Sequence, residues 1–277
     1  MLQLAEIARR EELRQAHSLS EIAINARPFC GGIASRAHPG SWLNTSVGMG
    51  FDGPINPHEI TELITWFADQ GIEPRIELCP FAHDSLTTAL AANNFVPRTF
   101  ENVFFKELNP DHPVVPPHPL NDTIEIRQVD PTDAAVVRAY SRAVMTGFLP
   151  PGATISEESL ETSARVLRHP RTVAFAAWSN GHVVAGGAME IAGEVCALFG
   201  MSTVPSHRRA GIQHAIIAAR LNHAAAAHVK FATIGSKPNI ATERTARRFG
   251  FQLAYTKIHL VRPGIRPDGT PLAPVSE

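Results

Sequence analysis

The sequence predicts an α+β fold in which a mixed sheet carries helices on both faces. Three observations support this prediction. Strand-like and helix-like segments alternate through the C-terminal half, the most apolar strand lies near the middle of that order, and a strand–helix–strand unit of equal spacing occurs in the N-terminal half. We therefore expect two related halves.

The C-terminal half begins with a predicted strand and two helices. Apolar and polar residues alternate over 123–129, which is typical of a half-buried strand. Pro131 is expected to open a helix capped by Asp130, because proline fits the first turn and aspartate binds free amides there. Ser156 begins a second helix, which must end before Pro170.

Three consecutive strands are predicted next. Residues 172–178 and 183–191 are joined by Ser179-Asn180-Gly181, and Asn-Gly is a strong hairpin signal. Residues 194–204 are nearly all apolar, so this strand is expected to be central. The remaining predicted elements are a helix at 209–227, a strand at 230–234, a helix at 240–249 and a strand at 251–261.

The N-terminal half contains a fragment of the same order at 75–108. Leu78, in its first strand, lies 17 positions before Phe95 (95 − 78), and Ile234 lies 17 positions before Phe251 (251 − 234). In both places the phenylalanine follows a residue that can end a helix. This match favours an internal repeat over a coincidence between two ordinary strand–helix–strand segments.

Proline marks the expected domain boundaries. Residues 109–121 contain five prolines and are predicted to link a degenerate N-terminal domain, 1–108, to a cofactor-binding domain, 122–262. Residues 263–277 are rich in proline and glycine, so we expect a flexible, poorly packed tail.

Composition limits the functions open to the chain. A formal net charge of −1 over 277 residues provides no basic field for nucleic acid, and no apolar run is long enough for a membrane span. The three cysteines and 13 histidines follow no metal-binding spacing, so no metal is expected. The charged N-terminus lacks the apolar core of a secretory signal. We expect a cytoplasmic protein, monomeric or homodimeric.

The segment 202–213 carries the strongest functional signal. A buried strand ends at Val204, and a basic turn containing Gly211 leads into an apolar helix. The first amides of such a helix lack intrahelical partners and lie at its positive end, so a pyrophosphate fits there. Gly211 allows close backbone approach, and Arg208 and Arg209 add donors for phosphate oxygens. An ordinary strand–turn–helix unit is the alternative explanation of the same residues.

Two patterns in this half match a known family. The loop Arg208-Arg209-Ala210-Gly211-Ile212-Gln213 fits Gln/Arg-x-x-Gly-x-Gly/Ala except at Gln213, and a helix that begins near Asn239 ends in Gly250-Phe251. Together with the order of elements over 122–262, these patterns resemble the GNAT superfamily of acyl-CoA-dependent N-acetyltransferases. The N-terminal half looks like a degenerate second copy, as in tandem members of that superfamily.

The resemblance implies a cofactor and its contact residues. Acetyl-CoA would be the acyl donor, and a primary amine of a small molecule or peptide would be the acceptor. A strand end would run beside the pantetheine arm, the loop would wrap the pyrophosphate, and the strands ending at Val204 and beginning at Lys230 would splay around the thioester. The predicted cofactor-binding residues are Ser202, Thr203, Val204, Arg208, Arg209, Ala210, Gly211, Ile212, Gln213 and Asn239.

The catalytic groups are less clear from the sequence. Glu190 and Glu194 flank a turn between two central strands and are candidate bases for the amine, although both could be solvated turn residues. Many members of the family carry a tyrosine, the acid for the leaving thiolate, where this chain has Ala246. Ser236, Thr245 and Tyr255 are the residues that could replace this tyrosine as the acid.

Two functional hypotheses follow. The first is an N-acetyltransferase that moves the acetyl group directly from acetyl-CoA to the amine. The alternative, favoured by Ala246 and by the absence of an obvious base, is a catalytically weak or inactive acyl-CoA-binding sensor or partner protein. A purely structural domain is a third possibility, and the intact loop argues against it.

Overall fold

The computed structural model describes residues 3–150 and 152–275. Within them the chain forms two compact units. The first unit takes in the residues up to Phe104, Ser236–Arg244 and the residues from Leu253 onwards. The second unit takes in Phe105–Gly235 and Thr245–Gln252.

Helices and strands are interspersed along the whole described chain. In chain order they are α1 (Leu4–Ile22), β1 (Asn25–Phe29), β2 (Gly32–Arg36), β3 (Thr45–Val47), α2 (Pro57–Ala68), β4 (Arg75–Leu78), α3 (Asp84–Ala92), β5 (Val96–Glu107), β6 (Ile124–Gln128), α4 (Ala134–Phe148), α5 (Glu157–Leu167), β7 (Thr172–Ser179), β8 (His182–Ala192), β9 (Val195–Thr203), α6 (Ile212–Ala226), β10 (Phe231–Ser236), α7 (Ala241–Arg248) and β11 (Gln252–Val261).

The first unit packs helices α2 and α3 over strand residues. Strands β1, β2 and β3 form an antiparallel sheet, and β4 pairs antiparallel with β11. Pro57 opens α2, and the Asn56 side chain accepts a hydrogen bond from the His58 amide, so this helix has its own N-cap. The apolar core under these elements includes Ile60, Leu63, Phe67, Ile72, Ile76, Leu86 and Leu90.

The second unit is a sheet covered on both faces, as the sequence predicts. Its strand order is β10-β9-β8-β7-β6, with β10 parallel to β9 and the other neighbours antiparallel. Strand β9 therefore lies inside the sheet, in agreement with its apolar sequence. One face packs on Val137, Tyr140 and Val144 of α4, and the other packs on Ile212 and Ile216 of α6.

Local turn chemistry agrees with the sequence in the hairpin and differs at one helix cap. Asn180 and Gly181 both have positive φ (48° and 77°), as a two-residue hairpin turn requires. The predicted cap Asp130 is wrong, because its carboxylate binds the amide and hydroxyl of Thr132 instead. The cap of α4 is Asp133, whose side chain accepts from two amides of the first turn.

The predicted repeat is visible in local geometry. Arg75 and Phe231 begin β4 and β10, and Val96 and Gln252 begin β5 and β11; both pairs are 156 positions apart (231 − 75 and 252 − 96). The helix between each pair ends alike. Asn94 and Gly250, also 156 apart (250 − 94), have φ of 59° and 77°, and the amide that follows each of them returns to the helix over 3.1 Å.

The two proline-rich segments are packed against helices and loops of their own units. Val114 and the Asn222 side chain of α6 exchange two hydrogen bonds of 2.7 and 3.0 Å, so residues 109–121 run along that helix. In the tail, Leu272 is only 5% exposed and Ala273 bonds to Gly71 and Glu73. The expected poor packing is therefore wrong for this part of the tail, because its backbone pairs with a neighbouring loop. Residues 276 and 277 lie outside the described residues.

Candidate functional site

The connection from β9 to α6 presents a row of free amides. After β9 come a short 3-10 turn at Pro205–His207 and then Gly211, which precedes α6 without any side-chain cap. Arg209 and Gly211 have φ of 66° and 76°, and the intervening residue does not have positive φ. Alternation of this kind makes successive N–H groups converge. The amides of residues 209–213 have no acceptor within the part of the chain that the structure describes.

The two arginines of the turn differ in what they contact. Arg208 donates from Nη2 to the carbonyl oxygen of Gly147 (2.9 Å) and from Nε to that of Thr203 (3.3 Å). These contacts fix the turn against α4 and the end of β9, a role that the sequence does not indicate. Arg209 is exposed, beside the free amides. Donation from either side chain to phosphate stays a prediction.

Gly211 is required at its position for two reasons. Its positive φ disfavours any residue with a Cβ atom. In addition, a Cβ there would lie 3.1 Å from the carbonyl oxygen of Pro119. The sequence suggests a close approach of ligand to Gly211, and the close approach in the structure is that of the proline-rich segment.

Strands β9 and β10 separate beside this turn. Their parallel pairing ends at Leu198 and Ile234, whereas β9 continues to Thr203, five residues further (203 − 198). The Val204 amide binds the Val184 carbonyl oxygen (2.9 Å). Because hydrogen-bonded pairs alternate along an antiparallel ladder, the Thr203 amide points away from β8, towards the side that β10 has left.

The structure brings most predicted cofactor residues together. Those between Ser202 and Gln213 all lie in the turn and the ends of β9 and α6, within the second unit. Ser202 is buried and packs against Gly147, where no side chain intervenes. Asn239 belongs to the first unit and has φ of 63°; its amide donates to the Glu243 carboxylate over 2.7 Å.

The two candidate bases lie in different surroundings. Glu190 is 4% exposed, and Arg171 binds its carboxylate over 2.9 Å from both Nε and Nη2. Glu190 sits on β8 opposite Ala197, one residue before the last β9 position that pairs with β10. Glu194 forms an ion pair with Lys230 in an exposed turn before β9. The nine residues of β9 separate Glu194 from the free amides by about 30 Å, because a strand rises about 3.3 Å per residue.

The candidate acids are engaged elsewhere. The Ser236 hydroxyl donates to the Lys237 carbonyl oxygen (2.9 Å). Tyr255 is 4% exposed and donates to Glu12 Oε1 over 2.7 Å; burial and this carboxylate raise the pKa of Tyr255 well above its usual range. Thr245 and Ala246 are both buried.

A buried charge cluster in the first unit was missed by the sequence analysis. Lys257 Nζ lies 2.9 Å from Glu77 Oε2 and 3.2 Å from Glu12 Oε1, and all three side chains are buried. Glu77, Glu101 and His259 are close enough together to hold a metal ion. However, Arg75 Nη2 lies 2.6 Å from His259 Nδ1, so arginine and Lys257 already supply positive charge there.

A buried arginine in the second unit was also missed. Arg220 is on the inner face of α6, eight residues after Ile212 and four after Ile216, and it is completely buried. The apolar stripe of α6 hides it in the sequence. The usable signal is its spacing, because positions four and eight residues apart share one face of a helix.

Comparison with known proteins identifies the second unit's architecture. Residues 136–251 match the model of the acetyltransferase (GNAT) family. The structure is similar to a GCN5-related N-acetyltransferase from Kribbella flavida, with a TM-score of 0.69 at 18% identity over 93% of this chain and 96% of that one.

Two further solved structures share the fold. A GCN5-related N-acetyltransferase from Sphaerobacter thermophilus gives a TM-score of 0.59 at 17% identity, covering 82% of this chain and 75% of that one. A tandem GNAT protein from the clavulanic acid biosynthesis pathway gives 0.58 at 10%, covering 83% and 76%. No curated protein is close enough in sequence to count as a match. None of the described helices combines the length and apolarity that a membrane span requires.

Proposed function

We propose that this chain, whose residues 136–251 match the model of the acetyltransferase (GNAT) family, transfers an acetyl group from acetyl-CoA to a primary amine of a small molecule or peptide. The observation that carries the proposal is the row of free amides at residues 209–213, beside the point where β9 and β10 separate. A pyrophosphate is a suitable ligand for converging amides at the positive end of a helix.

The strand end would hold the rest of the cofactor. With the pyrophosphate on the turn, the pantetheine arm would follow β9 back from Thr203 towards Leu198, and the Thr203 amide is directed to that side. The thioester would then lie in the gap that opens after the Leu198–Ile234 pair. Asn239 is proposed to contact the cofactor arm, as the resemblance implies.

The reaction would proceed by direct transfer. The amine nitrogen forms a bond to the thioester carbon, the carbon–sulfur bond breaks, and its electron pair leaves with the coenzyme A thiolate. The amine proton passes to a base. Glu190 suits this role better than Glu194, because it sits next to the separation of the strands; a water molecule would relay the proton.

The leaving thiolate would depart without a tyrosine acid. Ala246 cannot donate a proton, and the Tyr255 proton is held by Glu12. A thiol pKa of about 8.5 permits unassisted departure near neutral pH. The same observation favours a second candidate function, an acyl-CoA-binding sensor or partner protein with little turnover.

Two measurements separate these functions. Calorimetry with coenzyme A and acetyl-CoA tests the cofactor site, and absence of heat from either ligand would overturn both candidates. Thiol release from acetyl-CoA with a panel of primary amines, with products read by mass spectrometry, then tests catalysis. Binding with no acetylated amine would favour the sensor.

The wider setting is part of the proposal. We place the protein in the cytoplasm, as a monomer or homodimer, with no metal and no nucleic-acid or membrane partner. Residues 1–108 would be a degenerate copy of the 122–262 domain, and residues 109–121 would connect the two.

A further inference from the structure

Arg220 is a buried charge without a countercharge. Its exposed fraction is 0%, and no carboxylate in the described parts of the chain forms an ion pair with it. Its Nη2 atom is also buried without a hydrogen-bond partner among those residues. Removing a charge from water in this way is costly. An apolar side chain would fill this face of α6 at lower cost, so the arginine calls for a functional explanation.

The guanidinium binds the backbone of the two central strands. Nη1 donates to the carbonyl oxygens of Ala188 (2.6 Å) and Phe199 (3.3 Å), which face each other as a register pair of β8 and β9. Gly187 leaves room on this face, because a Cβ there would lie 2.9 Å from Ile216 Cγ2, 2.9 Å from Met201 Sδ and 3.1 Å from Arg220 Cζ. Gly187 therefore accommodates Arg220 together with two apolar side chains.

That register pair borders a β-bulge. Gly186 pairs with Ser202 and Ala188 with Phe199, so Gly187 alone faces Gly200 and Met201. A bulge leaves one residue of the longer strand out of the ladder. Gly200 has φ of 60°, and the space where its Cβ would stand is open.

The bulge lies where the proposed thioester site begins. Phe199 and Gly200 directly follow Leu198, the last residue of β9 that pairs with β10. We propose that Arg220 is a positioning residue for acyl transfer. Its hydrogen bonds to the Ala188 and Phe199 carbonyl oxygens fix the bulge so that the Gly200 amide faces the thioester oxygen. This inference rests on the proposed function of the same site.

The charge would also strengthen the donor. The Phe199 carbonyl and the Gly200 N–H belong to one peptide group, and a cation on the oxygen polarises the N–H. Negative charge develops on the thioester oxygen as the amine attacks, so a fixed and polarised donor favours the transition state. Arg220 would act through this peptide and need not touch the substrate.

A binding experiment tests the inference without knowledge of the acceptor. Calorimetry compares coenzyme A with acetyl-CoA, which alone carries the thioester oxygen. The wild type should prefer acetyl-CoA, and in Arg220→Met that preference should fall by about three- to tenfold, the worth of one hydrogen bond. Arg138→Met, which removes an exposed arginine of α4 paired with Glu157, is the matched control and should keep the preference.

Turnover gives the second readout. With the amine that reacts fastest in the panel, kcat per coenzyme A-binding site in Arg220→Met should fall about tenfold or more, while KM for acetyl-CoA should rise by no more than about the three- to tenfold loss expected in binding. A purely structural role would instead lower the number of binding sites and leave kcat per site unchanged.

The possible failures are distinguishable. If the wild type binds neither ligand, the proposed function fails and this inference with it. If the wild type binds both and Arg220→Met keeps the preference and kcat, only the role of Arg220 is overturned. Should Arg220→Met not fold, Arg220→Lys decides: the lysine Nζ ends one bond short of the Nη1 position that donates to both carbonyl oxygens, so wild-type kcat per site in that variant overturns the inference.

Discussion

Replacing Lys257 by methionine should strongly destabilise the first unit. The change keeps a long, unbranched side chain but removes the cation that lies 2.9 Å from Glu77 and 3.2 Å from Glu12. Glu12 then loses its neighbouring cation, and Glu77 keeps only Arg75 at 3.9 Å and His259 at 4.0 Å. Breaking a buried ion pair by removing one partner costs about 3–5 kcal/mol. Since about 1 kcal/mol shifts the midpoint of a chain this size by roughly 2–4 °C, thermal unfolding followed by calorimetry should show a loss of about 6–20 °C.

Two further variants make the result specific. Lys230→Met removes a lysine from an exposed ion pair with Glu194, and it should cost at most about 1 kcal/mol. Combining Lys257→Met with Glu12→Gln and Glu77→Gln removes all three charges and should recover most of the loss, because neutral groups need no countercharge. Equal midpoints for Lys257→Met and Lys230→Met would refute the reasoning.

The pH dependence of the same variant has a definite sign. Burial alone would raise the pKa of Glu77, but Lys257, His259 and Arg75 outweigh burial and lower its pKa. Such a carboxylate stabilises the fold above its unfolded-state pKa of about 4.3, and the contribution is lost as pH falls through the folded-state pKa. Without Lys257 burial prevails, and the pKa of Glu77 should rise. The difference in the free energy of unfolding between wild type and Lys257→Met should therefore become smaller as pH falls from about 7 to about 5.

Three other predictions concern the second unit. Gly211→Ala and Gly193→Ala both place a Cβ at positive φ, but only Gly211 lies in the turn before α6. The affinity for acetyl-CoA, measured by calorimetry, should therefore fall about tenfold or more in Gly211→Ala and stay unchanged in Gly193→Ala. Glu190→Gln should lower kcat about 100-fold with little change in affinity, while Glu194→Gln stays near wild type; equal rates would exclude Glu190 as the base. Asn222→Ala removes both hydrogen bonds to Val114 and should cost about 1–3 kcal/mol in chemical denaturation.

Periodicity and turn chemistry predict much of the fold correctly. Asn180-Gly181 predicts the hairpin because its turn requires positive φ, which few residue types adopt. The apolar run of β9 predicts a central strand, and β9 does have a neighbouring strand on each side. Asp130 misleads because Asp133 is an equally good cap three residues later, and Asp130 binds the amide and hydroxyl of Thr132 instead. Such choices between neighbouring caps depend on side-chain contacts that a linear pattern does not contain.

The site was less predictable than the fold. The sequence marks the turn from Arg208 to Gln213 by backbone geometry and charge, and its role as a cofactor site stays a prediction. Arg220 was missed because the apolar stripe of α6 hides it; its spacing places it on the buried face, but the two strand carbonyl oxygens that it contacts lie 32 and 21 positions away. Lys257 was missed for the same reason, since Glu12 and Glu77 come from distant parts of the chain.

The two corresponding turns of the related halves differ at the helix start, and this difference predicts one cofactor site per chain. Strands β3 and β9 end 156 positions apart (203 − 47), and each leads into a helix, α2 or α6. The first amides of α2 are not free to bind an anion, because Pro57 has no N–H and the Asn56 side chain accepts a hydrogen bond from the His58 amide. Gly211 leaves the amides of α6 open. Each chain should therefore bind one coenzyme A in calorimetry, and a stoichiometry of two would contradict this difference between the repeats.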